Sequence, residues 1–340
     1  MIEWRARAPV RFCDLGGWTD TRIVPRGAVL NFTARLYTYV TLRVQEGPSG
    51  ITLESLDTAE RCSFHDVRQV EYNGVLDLLK AAVARAGIET HRSGVYSTRR
   101  RVHLRVRSGG PPASGLGSSA ALGVGAIGAL AAFNGRHLLP HEVARESQLL
   151  ETQELKLECG VQDQLASAYG GVNFMEVEYP NARIFPIRLD PGLLCELEDR
   201  FVLVYTGKSH FSSGMHQKVI SEAEQHRGDF DALAAAAVAG KEALLGCDLD
   251  AFGAAMNANW EAQKRLHPDI TTPEIEALHD AAFKAGASGF KANGAGGGGT
   301  VTILARRDQS QKVAAAAERL GMTVLPALID TTGLQVWGAL

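Results

Sequence analysis

"PPASGLGSSAAL" occupies residues 111–122, and its reading decides the fold. Two prolines lead into Gly115 and Gly117. Ser118 and Ser119 follow, and then an apolar run from Ala120 to Phe133. The run predicts a buried helix, and the amides of a helix's first turn have no partner inside the helix. The dipole adds partial positive charge at that end. Glycines just before the turn let an anion approach the backbone closely. The two serines bring hydroxyls that can cap the helix, bond anion oxygens or ligate a divalent cation. A Gly-Lys-Ser/Thr phosphate loop is excluded, because no lysine is present. Gly115, Gly117 and Ala120 satisfy G-x-G-x-x-A. A dinucleotide site, however, needs a strand running straight into the turn, a second strand after the helix and an acid about 20 residues on. Here Pro111 and Pro112 intervene and a second helix follows. Taken by itself, the stretch also reads as a glycine turn with a serine cap and nothing bound.

The neighbouring sequence fixes the context. "RVHLRVRS" (101–108) alternates as a strand, and its arginines, with Arg99 and Arg100, read as a solvated face or an anion site. "YTYVTLRV" (37–44) and "GITLESL" (50–56) are β-rich, with a turn at Gly47–Gly50 between them. Helices are expected from Asn73 to Gly87 and over 141–157. "GGVNFMEV" (170–177) and "RFVLVYTG" (200–207) return to strand. Alanine-rich helices then cover 229–246, 248–265 and 273–286, before the strand "TVTILAR" (300–306) and a last helix over 308–320. Strands with helices between them, followed by a helix-heavy half, predict an α+β chain of two domains, 1–195 and 196–340.

Composition excludes several classes. The 340 residues carry a net charge of −3, which gives no reason to expect nucleic-acid or membrane partners. Five scattered cysteines without a Cys-x-x-Cys point to a reduced, cytoplasmic protein without structural zinc. His137 and His141 have helical spacing, but Pro140 and the missing Glu argue against a metal site. "MIEWRARAPV" lacks the apolar core of a signal peptide, and no apolar run has the length of a membrane span.

Three further stretches weigh on the opening one. "RAPVRFCDLGGWTDT" (7–21) gathers Arg11, Asp14 and Asp20 around a Gly-Gly turn. "CGVQDQLASAYGG" (159–171) sets Asp163 between two glutamines, in a turn after a helix carrying Glu151. "KANGAGGGGTVTIL" (291–304) is a glycine run entering a strand. With 111–122, in this order, they resemble the GHMP kinases, the superfamily of galactokinase, homoserine, mevalonate and phosphomevalonate kinases. The resemblance covers nearly the whole chain. It implies a two-domain fold, with an N-terminal domain like ribosomal protein S5 domain 2 and a ferredoxin-like C-terminal domain.

The resemblance also implies roles. Pro112, Gly115, Leu116, Gly117, Ser118, Ser119 and Ala120 would bind ATP. Ser119 would ligate Mg²⁺ together with Glu151, with Glu154 and Glu158 as rivals. Asp163 falls where the family carries its catalytic aspartate, a general base for the attacking hydroxyl. Arg11 falls beside it, to stabilise developing charge. Asp20, Gly17 and Trp18 would meet the acceptor, and Gly296 and Gly297 would close over it. Galactokinases carry Glu-His where this chain has Gly17-Trp18, which argues against galactose. The Gln-Asp-Gln string is similar to heptose 7-phosphate kinases and the Gly-Gly-Trp-Thr-Asp string to fucose kinases. The implied activity is ATP- and Mg²⁺-dependent phosphorylation of the C1 hydroxyl of a sugar or sugar phosphate, and a homodimer is an assembly the reading allows. A second anion site would fall to residues 99–101 or to Lys264 and Arg265. The alternatives are a catalytically silent sugar and nucleotide sensor of the same fold, and a decarboxylase.

Overall fold

A 20-residue strand is the spine of the molecule. In the computed structural model, which describes residues 1–88, 91–92, 98–208 and 212–338, it runs from Gly27 to Glu46. Its outer half alternates buried and half-exposed positions, as a strand covered on one face must. Along the chain the first half is β1 (Ile2–Leu15), β2 (Gly27–Glu46), β3 (Gly50–Ser55), β4 (Arg61–Phe64), α1 (Asp77–Arg85), β5 (His91–Arg92), β6 (Thr98–Ser108), α2 (Ser118–Phe133), α3 (Pro140–Leu149), α4 (Gln162–Tyr169), β7 (Val172–Glu178) and β8 (Asn181–Ile187). The second half is α5 (Pro191–Arg200), β9 (Phe201–Tyr205), α6 (Ser212–Ser221), α7 (Arg227–Leu245), α8 (Leu249–Arg265), α9 (Pro273–Lys284), β10 (Ala287–Ala292), β11 (Thr300–Ala305), α10 (Ser310–Arg319), β12 (Thr323–Leu325) and β13 (Gln335–Gly338).

Two sheets result. β2 pairs with β1, β6 and β7 in the larger. The smaller runs β10-β11-β9-β12, all antiparallel. With helices between β9 and β10 and α10 between β11 and β12, that order is the split β-α-β ferredoxin-like arrangement. The mixed α+β class is therefore as the sequence predicts, and the smaller sheet has the ferredoxin-like order that the resemblance implies for the C-terminal domain. α2 is buried nearly all round between the larger sheet and α3, so its apolar run carries no polar face. The arginines of β6 lie on the outer side of the sheet. Arg105 bonds Glu54 at 2.7 Å and Arg107 stacks on Tyr39 at 4.3 Å, the solvated-face reading of that strand.

The halves share one core. Phe12 and Phe32 from the larger sheet meet Phe201 and Phe252 from the second half, with ring centroids 5.3–5.7 Å apart for the pairs that cross. Each such tilted or edge contact adds about 0.5–1.5 kcal/mol beyond its buried area. The end of the expected second domain, 196–340, returns to the larger sheet. β13 leaves the smaller sheet and pairs with β1, and Ile329 bridges to Ala34. The chain's end completes the first sheet because β1 would otherwise be an unpaired edge.

The structure also revises local expectations. The helix expected over 141–157 is α3 followed by a π-helical turn, Leu150–Glu154, which carries Glu151. Asp163 is not in a turn after that helix but in the first turn of α4. All five cysteines are free. No helix among the described residues is long and apolar enough to cross a membrane.

Candidate active site

α2 starts as the sequence predicts. Gly117 precedes it in the left-handed region (φ 69°), and no side chain caps the first turn. The amides of Ser118, Ser119 and Ala120 thus face outward without a side-chain partner, an arrangement suited to an anion. The Ser118 Oγ is buried and unpartnered, while Ser119 is exposed.

Arg11, buried on β1, ties this loop to the carboxylate across from it. Its Nε donates to Asp163 Oδ1 at 2.8 Å and its Nη2 to Oδ2 at 3.1 Å. Its Nη1 donates to the Gly115 carbonyl, and its backbone amide donates to Leu116 O at 3.0 Å. One guanidinium therefore holds both loop and acid in a fixed relation, the two-pronged geometry that arginine offers a carboxylate. Burial opposes the Arg11 charge, but Asp14 and Asp163 more than offset it and hold its pKa above the ordinary value.

Behind Arg11 lies a second pair. Asp14, 1 % exposed, receives Lys291 Nζ at 3.1 Å and the Gly294 amide at 3.2 Å, with Arg11 Nη2 at 3.8 Å. Burial pushes the Asp14 pKa up, yet Arg11 and Lys291 prevail and hold it below the usual carboxylate range. Burial holds the Lys291 pKa down despite Asp14. Lys291 also donates to Gln263 Oε1 at 3.2 Å and to Ala292 O at 2.8 Å. These bonds stitch β1 to α8 and to the C-terminal glycine loop.

The far wall is acidic. Asp20 Oδ2 accepts the amides of Val161 and Gln162 at 2.9 and 3.0 Å, which caps α4, and Oδ1 accepts Gln162 Nε2 at 3.3 Å. Burial and nearby Asp163 raise its pKa against those bonds. Glu151 Oε1 accepts Gln164 Nε2 at 3.1 Å. Burial, with Asp163 adding, pushes the Glu151 pKa up to about 7. These residues enclose a cavity of about 100 Å³, lined by Arg11, Asp20, Ser119, Glu151 and Asp163 among others. Ser119 and Glu151 both line the cavity, and the one side-chain bond that Glu151 accepts among the described residues is at Oε1. A hard divalent cation takes one or two such oxygens and completes its shell with phosphates and water, so the donors present fit Mg²⁺.

The structure thus brings Arg11, Trp18, Asp20, Ser119, Ala120, Glu151 and Asp163 to one cavity. Gly115, Leu116, Gly117 and Ser118 do not line it; Arg11, through its bonds to the Gly115 and Leu116 carbonyls, holds this turn beside it. Exposed Pro112 stands before this turn. Gly17 packs behind Asp14, where an added Cβ would meet Asp14 Oδ2 at 2.8 Å. Gly296 and Gly297 pack on Ile270, with the Gly297 amide 2.7 Å from its carbonyl. The part of that loop lining the cavity is Gly294 and Ala295. Of the rival glutamates, Glu158 lines the cavity paired with Arg22, whereas Glu154 pairs with Arg85 away from it. Residues 99–101, Lys264 and Arg265 do not line it. Sequence reasoning gave no role to Lys291, Cys159 or His216. A lysine between Phe290 and Ala292 in a buried strand was the available signal for the first.

Comparison with known proteins agrees with this geometry. Residues 77–171 match the GHMP kinases N terminal domain and residues 241–321 the GHMP kinases C terminal domain. The chain is 30% identical over 302 residues to a D-glycero-alpha-D-manno-heptose 7-phosphate kinase of Campylobacter jejuni, covering 87% of each. It is 28% identical over 326 residues to the bifunctional fucokinase/GDP-fucose pyrophosphorylase of Arabidopsis thaliana, of which it spans only 30%. A D-glycero-D-manno-heptose 1-phosphate kinase from Bacteriodes thetaiotaomicron superposes with a TM-score of 0.80 over 99% of both chains at 24% identity, a likeness of fold. The paired domain matches and the full-length relative together make this chain a member of the GHMP kinases.

Proposed function

We propose that the chain is a sugar kinase that transfers the γ-phosphate of ATP to the anomeric C1 hydroxyl of a sugar or sugar phosphate. The observation that carries the reading is the double grip of Arg11 on Asp163 and on the Gly115 carbonyl. It sets a carboxylate at a fixed separation from a helix N-terminus suited to a triphosphate. The matched relatives act on heptose phosphates and fucose, which favours a sugar acceptor. The N-terminal unit 1–195 would supply the phosphate loop and base. The remainder would supply the glycine loop, with its end returning to the first sheet.

In this reading Asp163 accepts the proton of the attacking hydroxyl through the oxygen edge not turned to Arg11. Arg11 orients the carboxylate, and adds positive charge where the transferred group passes. The α2 amides and the Ser118 hydroxyl bind phosphate oxygens. Ser119 and Glu151 would hold Mg²⁺, which when bound neutralises charge on the phosphates. Phosphoryl transfer asks little covalent chemistry of a protein, so positioning and electrostatics account for most of the rate. The test is ADP release with a panel of sugars and sugar phosphates, wild type against Asp163→Asn. Turnover that survives in the variant removes the base, and ATP binding without ADP release under any acceptor favours a sensor.

A further inference from the structure

The charge of the cavity selects among acceptors, and this inference rests on the kinase reading above. Among the described residues its wall carries five carboxylates, Asp14, Asp20, Glu151, Glu158 and Asp163, against one cation, Arg11. Arg11 is already held by Asp163 at 2.8 Å and Asp14 at 3.8 Å. Arg22 bonds both oxygens of Glu158, a cavity residue, at 2.7–2.8 Å. Lys264 pairs with Glu261 and Arg265 with Asp229, outside the cavity. The α2 amides and a divalent cation compensate the nucleotide's phosphates, but they stand at the Ser119 end. At the Asp20 end a second phosphate would face carboxylates, and among the described residues no Lys or Arg other than Arg11 lines the cavity.

What that end does offer is neutral hydrogen bonding. Trp18 is 5 % exposed and its Nε1 is buried without a partner. A buried indole N–H ordinarily finds an acceptor, so this one is a donor awaiting a ligand. His216 reaches across from α6, with its ring 4.9 Å from the Trp18 ring in edge contact. Its Nδ1 lies 3.1 Å from the Glu158 carbonyl. A carbonyl only accepts, so Nδ1 is the donor in that contact and Nε2 is left to meet a ligand. Both residues line the cavity beside Asp20.

We propose that the acceptor is an uncharged monosaccharide, its hydroxyls read by Trp18 Nε1, His216 Nε2 and Asp20, and that a sugar already bearing a phosphate is disfavoured. Trp18 and His216 are then specificity residues. The test compares neutral hexoses and 6-deoxyhexoses with hexose 6-phosphates and heptose 7-phosphate. ADP release under saturating Mg²⁺-ATP is measured alongside calorimetric binding of each compound. Like-charge opposition predicts a kcat/KM at least about tenfold higher for the best neutral sugar than for any phosphate ester. Screening makes the esters gain relative to the neutral sugars as salt rises. Trp18→Phe and His216→Gln, which keep ring volume or polarity, should each raise the KM for sugar about tenfold while the KM for ATP stays put. Turnover that favours a phosphate ester overturns the proposal and leaves the kinase reading standing. Binding of neutral sugars without ADP release overturns the kinase reading and leaves this pocket assignment standing. Neither turnover nor binding with any compound of the panel overturns both.

Discussion

Two glycines with the same backbone angle isolate the contact that matters most. Gly117 and Gly135 flank α2, and both have φ of 69°. An alanine at either position pays the left-handed penalty, about 1–2 kcal/mol. Around Gly135 an added Cβ meets nothing within 4 Å. At Gly117 it would lie 3.0 Å from Asp163 Oδ2, 3.2 Å from Asp163 Cγ and 3.4 Å from Arg11 Cγ. The carboxylate must retreat by a few tenths of an ångström, and its bonds of 2.8 and 3.1 Å carry Arg11 along with it. A displacement of 1 Å at a reacting group costs up to about 10²-fold, so roughly tenfold or more is expected here. Gly117→Ala and Gly135→Ala should therefore lose similar stability in urea denaturation. Only Gly117→Ala should lose kcat at saturating ATP and acceptor. Wild-type kcat in Gly117→Ala, or an equal loss in Gly135→Ala, refutes the claim that this loop sets the position of Asp163.

Asp163→Asn should lower kcat by about 10²–10⁴-fold, the usual worth of a general base, with nucleotide affinity measured by calorimetry nearly unchanged. Glu151 supplies a pH dependence. Its folded pKa of about 7 lies above the ordinary 4.5, so the folded chain binds the extra proton between those values. Stability of the ligand-free protein should fall as pH rises through that window, by about 3 kcal/mol at most. Urea titrations at pH 5 and 8 should show the fall, and Glu151→Gln should flatten it. Mg²⁺ with a non-hydrolysable nucleotide should raise Tm more at pH 8 than at pH 6, since the cation needs the ionised carboxylate. Lys291→Met strands the Asp14 charge in the interior and should cost about 3–5 kcal/mol, part of which the double variant with Asp14→Asn recovers.

The parts legible in the sequence were those carried by local pattern. The α2 start announced itself through glycine, serine and an unbroken apolar run, and β6 through strict alternation. The order of the short motifs was enough for the family. What escaped depended on long-range pairing. β13 is four residues long and gains its place only by covering the β1 edge, which no local period reveals. Asp14 and Lys291 are 277 residues apart and meet only when the glycine loop folds back. Asp163 was read as a turn residue because its helix is short and its cap, Asp20, lies 141 residues from the first amide it accepts.

The two ends of the cavity are held unequally, and this bears on where movement during a reaction would fall. At the phosphate end, Ser114 O accepts both Thr300 N at 2.8 Å and Thr300 Oγ1 at 2.9 Å, while Cys13 N donates to Asn293 Oδ1 at 2.9 Å. An added Cβ on Gly299 would fall 2.5 Å from Ser114 O, so the loops touch backbone to backbone. With Arg11 and the Asp14–Lys291 pair behind them, these contacts leave the phosphate loop little freedom to shift against the glycine loop. At the acceptor end, α6 meets the first half through His216 alone among the described hydrogen bonds, at the Glu158 carbonyl. On the proposed function, the tightly held end would fix the in-line geometry that transfer demands, and the α6 wall would adjust to the acceptor and let the product leave.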